Sequence, residues 1–94
     1  MGLFSFFTKE YALDLGTANT IIIHNDKVVV DEPSIVAIDR KSEKIIAVGK
    51  RALMMHGKTH QDILTVRPLR DGVIANFQAA EYMIREMIKM TSPK

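Results

Sequence analysis

Apolar and polar positions fall in short runs through most of the chain and take up a helical period only near its end. Tyr11 to Leu15 is an apolar run broken by Asp14, and Thr20 to Ile23 is β-branched. Val28 to Val30 follows a turn at His24-Asn25-Asp26-Lys27. Such runs, bounded by Gly, Asn and Asp, predict strands joined by tight turns, so this stretch reads as a β-meander. Asp31-Glu32-Pro33-Ser34 is expected to break the ladder, because Pro33 has no N–H to donate. Ser34 to Ile38 and Lys44 to Val48 predict two more half-buried strands around the polar hairpin Asp39-Arg40-Lys41-Ser42-Glu43.

Gly49 opens a short helical segment that runs through Met55 and is closed by Gly57, with Ala52, Leu53 and Met55 expected inward. Thr59 to Asp62 reads as a loop or helical turn, Ile63 to Val66 as an apolar run, and Pro68 to Gly72 as a turn. Asn76 is suited to cap a last helix from Phe77 to about Met90, which Pro93 ends. Its expected inward face is Phe77, Ala80, Ile84, Met87 and Ile88, with Glu81 four residues before Arg85 on the other side. The fold class is therefore α/β: a β-meander with short helices and a C-terminal helix. No internal repeat or flexible linker interrupts it.

Ninety-four residues allow one small domain with a modest core. An apolar content of 47% beside 26% charged residues marks a globular chain, and a net charge of +2 is too small and interspersed for a nucleic-acid footprint. Without cysteine there is no disulfide, thiol nucleophile or Cys-based zinc site. No apolar run has the length to span a bilayer, and the N-terminus does not have the form of a signal peptide.

The chemistry centres on Asp14-Leu15-Gly16-Thr17-Ala18-Asn19-Thr20. A backbone that brings N–H groups close to a phosphate needs small residues, and Gly16, Thr17, Ala18 and Asn19 supply them between two strands. Asp14 at the strand end is suited to face a hydrated cation, since Mg²⁺ keeps several waters and takes few carboxylates. Read from these residues alone, the hairpin is either a phosphate-binding turn or an ordinary turn with a solvated Asp. Other apparent motifs fail on spacing. Gly57-Lys58-Thr59 resembles the end of a P-loop, but Ala52 stands where the motif requires glycine. His56 and His60 are four apart, yet Gly57 argues against a helix there and no third ligand is near. Glu32 and Ser34 find no histidine to complete a triad, His24 is a lone residue at a strand end, and Met83, Met87 and Met90 read as core filler.

Met1 to Phe7 holds three of the four phenylalanines. Leu3, Phe4, Phe6 and Phe7 are suited either to insertion at a lipid headgroup boundary or to packing on this chain's own sheet or a neighbour. Myristoylation is excluded by Phe6, which stands where the signal needs Ser or Thr.

The loop at 14–20 resembles the first phosphate loop of the actin-like ATPase superfamily, which includes actin, Hsp70 chaperones and sugar kinases. The likeness to the MreB family covers nearly the whole chain. It extends to Asp31-Glu32-Pro33-Ser34-Ile35-Val36-Ala37-Ile38, to Ala47-Val48-Gly49 with Met55-His56-Gly57-Lys58-Thr59, and to Arg67-Pro68-Leu69-Arg70-Asp71-Gly72-Val73-Ile74-Ala75-Asn76-Phe77. The resemblance implies the first part of an actin-like (ribonuclease H-like) ATPase lobe: residues 10–36 and 70–94 in the large subdomain IA, 37–69 in the small subdomain IB, and residues 1–9 as a membrane-contacting tip. It implies ATP and Mg²⁺ as cofactors, with Asp14 near the metal waters and Gly16, Thr17, Ala18 and Asn19 along the β- and γ-phosphates. As partners it implies copies of the chain in a filament, cell-wall elongation proteins, and the inner face of the cytoplasmic membrane touched by Leu3, Phe4, Phe6 and Phe7. That places the protein in the cytoplasm, peripheral to the membrane. Asn76 departs from the family, which usually carries Asp there. The family's second phosphate loop, adenosine pocket and water-positioning acid come from later parts of a longer chain, so this sequence looks like the first piece of such a protein, inactive as an ATPase by itself and with no catalytic residue of its own. The rival readings are a fragment of a chaperone or sugar kinase of the same superfamily, or a non-catalytic interaction module.

Overall fold

A computed structural model of the chain describes residues 4–7, 11–56, 62–71 and 73–91, with side chains from Tyr11 onward. The meander forms a four-stranded antiparallel sheet in the order β1 (Phe4–Phe7), β2 (Tyr11–Leu15), β3 (Asn19–His24), β4 (Lys27–Pro33). The first strand was not among the expected elements. It lies along the edge of the sheet, with Phe4 opposite Leu15 and Phe7 opposite Ala12. Asn25 and Asp26 both have positive φ (52° and 65°), the backbone that a two-residue hairpin between β3 and β4 demands and that Asn and Asp tolerate. The ladder does not break at Asp31 as expected. It continues to Pro33, which ends β4 opposite Asn19, where the strand needs no further donor.

A second antiparallel sheet, in the order β6 (Ile45–Val48), β5 (Val36–Asp39), β7 (Ile63–Val66), carries the middle of the chain. In the β5–β6 turn the backbone N–H of Lys41 donates to Asp39 Oδ1 (3.0 Å), the main cause holding that carboxyl below the usual carboxylate range. The helix α1 (Lys50–Met55) follows β6 and ends at His56, whose backbone is extended. Gly57, expected to close it, lies outside the described residues, as do Thr59 and His60. The expected turn after Pro68 is itself a small hairpin of β8 (Leu69–Arg70) and β9 (Val73–Ile74), with Asp71 at φ 50°. The last helix, α2 (Phe77–Lys89), starts where Asn76 predicts.

The two sheets share one core. Leu15, Ile22, Val30, Val36, Val48 and Leu69 meet Ala79, Met83 and Met87 of α2. Period-two alternation in β5 then builds a second cluster on the opposite face, where Ala37 joins Ile35, Ala47 and Ala52 of α1 while Val36 serves the first core. Two expected inward faces need correction. In α2, Ala79, Ala80, Met83 and Met87 are buried, whereas Phe77 is 70% and Ile88 49% exposed. The buried stripe keeps the helical period but is rotated from the expected one, and Phe77 in the first turn faces away from the core. In α1, Ala52 is buried and Met55 packs beside it, but Leu53 is exposed.

Candidate functional site

The turn between β2 and β3 is closed by Gly16, whose N–H donates to the carbonyl of Asn19 (2.9 Å). A Cβ at Gly16 would come within 2.6 Å of that carbonyl oxygen, so only glycine fits. Support comes from the far end of β4. Ser34, fully buried, donates its hydroxyl to the carbonyl of Gly16 (2.7 Å), shares a 2.8 Å hydrogen bond with buried Thr20, and donates its N–H to the carbonyl of Ala18 (2.8 Å). Asn19 in turn donates from Nδ2 to Asp31 Oδ1 (3.1 Å). The turn is thus held from beneath by neighbours distant in sequence, and its tip is free to face outward. Thr17, Ala18 and Asn19 are exposed, and the N–H groups of Thr17 and Ala18 find no acceptor among the described residues. Successive free N–H groups on a rigid turn make an anion-binding concavity.

Asp14 stands two residues before the turn, paired in register with Ile21 of β3 on the sheet face opposite Leu13, Ile22 and Val30. Its Oδ1 is buried and has no hydrogen-bond partner among the described residues. An orphaned buried carboxylate oxygen is costly, and such atoms mark places where a cation or its waters complete the site. Beside the turn lies a cleft of about 450 Å³ lined by Thr17, Ala18, Asn19, Pro33, Leu53 and Arg67. Asp14 and Gly16 do not line it. The five sequence-predicted residues therefore divide: Thr17, Ala18 and Asn19 face the cleft, Gly16 gives the turn its shape and spends its N–H inside it, and Asp14 presents an oxygen at the strand end.

Sequence reasoning missed three contributors. Ser34 and Thr20 brace the turn, and Arg67 joins the cleft from the link between β7 and β8. The Leu3, Phe4, Phe6 and Phe7 set falls outside what the structure describes, apart from the strand backbone of Phe4–Phe7. His56, once weighed as a metal ligand with His60, bonds through Nδ1 to the hydroxyl of Thr65, and His24 stacks on Tyr11 with ring centroids 4.4 Å apart.

The family model described as MreB/Mbl protein matches residues 8–94. The chain is 43% identical over 89 residues to the cell shape-determining protein Mbl of Bacillus subtilis, covering 94% of this chain and 27% of that one. It is 47% identical over 88 residues to the cell shape-determining protein MreB of Haemophilus influenzae, covering 88% of this chain and 25% of the relative. Among solved structures, MreB5 of Spiroplasma citri bound to AMPPNP matches with a TM-score of 0.73 and 47% identity, over 81% of this chain and 23% of that one. The same protein bound to ADP matches with a TM-score of 0.73 and 46% identity, over 82% of this chain and 24% of that one. The chain thus spans about a quarter of the length of these relatives.

Proposed function

The chain belongs to the MreB/Mbl family, and from that premise we propose that it is the N-terminal part of an ATP-dependent, actin-like filament protein that works at the inner face of the cytoplasmic membrane and guides cell-wall synthesis. The observation that carries this reading is the braced turn at Gly16–Asn19, with free N–H groups at its tip and the unpartnered buried oxygen of Asp14 beside it. A glycine-shaped turn and an unsatisfied carboxylate are the donor set that a phosphate chain and a hydrated Mg²⁺ require, so the residues present fit both groups. Thr17, Ala18 and Asn19 would hold the phosphates, and Asp14 would hold the metal's waters. Bound there, Mg²⁺ supplies charge neutralisation for the phosphates. The related structure with AMPPNP supports a nucleotide as the ligand.

The family match favours a filament protein over a chaperone or a sugar kinase. In this reading residues 10–36 and 70–94 belong to subdomain IA and residues 37–69 to subdomain IB, where the filament contact is partly made. The cell-wall elongation proteins are the filament's further partners. Leu3, Phe4, Phe6 and Phe7 form the membrane-contacting tip, because apolar rings beside Lys9 suit a headgroup boundary.

The test is made in the full-length protein. Asp14→Ala is expected to weaken Mg²⁺-ATP binding by about tenfold or more, since it removes the carboxylate nearest the metal waters. Fluorescent-nucleotide titration and phosphate release measure it, and unchanged binding and turnover would overturn the assignment. Liposome co-sedimentation checks the membrane part: it should be lost when Phe4, Phe6 and Phe7 are replaced by Ser with the fold intact, and retention would remove the tip from the proposal.

A further inference from the structure

The cleft beside the turn is lined by Thr17, Ala18 and Asn19 of the turn itself, by Pro33 at the end of β4, by Leu53 of α1 and by Arg67. Arg67 is the one charged residue among the described residues lining it. No carboxylate lines the cleft, and Arg67 has no ion-pair partner among the described residues. A guanidinium without a carboxylate partner among the described residues, in the same cleft as the free N–H groups of Thr17 and Ala18, attracts the same sign of charge as they do.

The backbone behind Arg67 is firmly placed. Pro68 is fully buried, and its carbonyl accepts from the N–H groups of Ala75 (2.7 Å) and Asn76 (3.2 Å) at the start of α2. Leu69 is fully buried in the main core, and Val66, just before Arg67, pairs with Val36 of β5. The side chain is exposed while its Cα is pinned by three elements. That arrangement suits a group that must meet a ligand at a set distance from the turn, because little backbone freedom is lost on binding. The cleft's volume is within the range of small-ligand sites, about 300–1,000 Å³.

We propose that Arg67 reads the terminal phosphate of a nucleotide held on the Thr17–Asn19 turn and so sets the preference for triphosphate over diphosphate. The proposal rests on the phosphate-loop reading given above and adds to it a specificity-determining residue from the link that follows the second sheet. Because Arg67 follows β7 and precedes the β8–β9 hairpin, a contact made only with the triphosphate ties the turn to that sheet in one nucleotide state and releases it in the other. The planar fork binds two phosphate oxygens at once, whereas a lysine offers only a point charge.

The experiment compares affinities for Mg²⁺-AMPPNP and Mg²⁺-ADP in the full-length protein, for wild type, Arg67→Gln and Arg67→Lys. Arg67→Gln is expected to weaken AMPPNP binding by about 10- to 100-fold while changing ADP binding by less than about threefold. Arg67→Lys should fall between the two. Equal losses for both nucleotides, or no loss for either, would overturn the role of Arg67 while leaving the phosphate loop standing. A wild-type protein that binds neither nucleotide would instead overturn the loop reading, and Arg67's role with it. Circular dichroism of the Gln variant identical to wild type is required for the comparison, and Arg67→Lys supplies the second reading if Gln disturbs the fold.

Discussion

Gly49 adopts a φ of 67° between β6 and α1, a backbone that other L-residues enter only under strain. A side chain there would also run into the carboxylate of Glu32, which accepts the N–H of Lys50 (2.7 Å) and so satisfies the first turn of α1. Sequence spacing marks Gly49 as a helix opener but gives Glu32 no role, because the two are far apart along the chain. Gly49→Ala is expected to destabilise the protein by about 1–3 kcal/mol. In the Gly49→Ala, Glu32→Ala double variant the clash with the carboxylate is removed and only the Cβ of residue 32, at 3.1 Å, stays close, so its cost should be less than the sum of the single costs. Urea denaturation measures the cycle, and strict additivity would remove the steric argument.

The helix α2 shows which helical signals survive in the folded chain. Asn76 Oδ1 accepts from the N–H of Ala79 (3.0 Å), the cap that its side chain predicts. Glu81 and Arg85 pair at 3.0 Å and Glu86 and Lys89 at 3.1 Å; three of the four side chains are exposed and Glu86 is half-buried, so these pairs add little. The helix is held by its buried stripe. Met83→Ala is expected to cost about 2–5 kcal/mol, since the side chain is fully buried against both sheets, whereas Phe77→Ser should change stability by less than about 0.5 kcal/mol. Thermal melts of the two variants check this, and a larger loss for Phe77→Ser would restore the stripe expected from sequence.

Several large apolar side chains stand exposed among the described residues. Val28, Met54, Val73 and Phe77 are each at least 60% exposed, and Ile88 is half exposed. Met87 is wholly buried, so self-association of this chain would need another face. Phe77 and Val73, at the start of α2 and on β9, are the better-placed residues. Analytical ultracentrifugation of the 94-residue chain is expected to show concentration-dependent association that falls in Phe77→Ser; a stable monomer at high concentration would contradict it. The same preparation should release no phosphate from ATP, since phosphoryl transfer needs groups arranged around the nucleotide and this chain offers one turn, one carboxylate and Arg67. Turnover by the purified chain would refute that argument.

Local chemistry made part of this protein legible without a structure. Strand runs, the Asn25-Asp26 hairpin, the Gly16 turn and the Asn76 cap each depend on residues within a few positions of one another, where steric rules and hydrogen-bond reach operate directly. The motif at 14–20, taken together with the segments at 31–38, 47–49, 55–59 and 67–77, also marked the family. Contacts between distant segments were decided only in the folded chain. Ser34 beneath the turn, Glu32 on Lys50, Arg67 lining the same cleft as Thr17, and the rotation of the buried stripe of α2 all follow from how two sheets pack around one core. Periodicity says that a helix has an apolar side; where the sheets lie determines which of its apolar residues are buried.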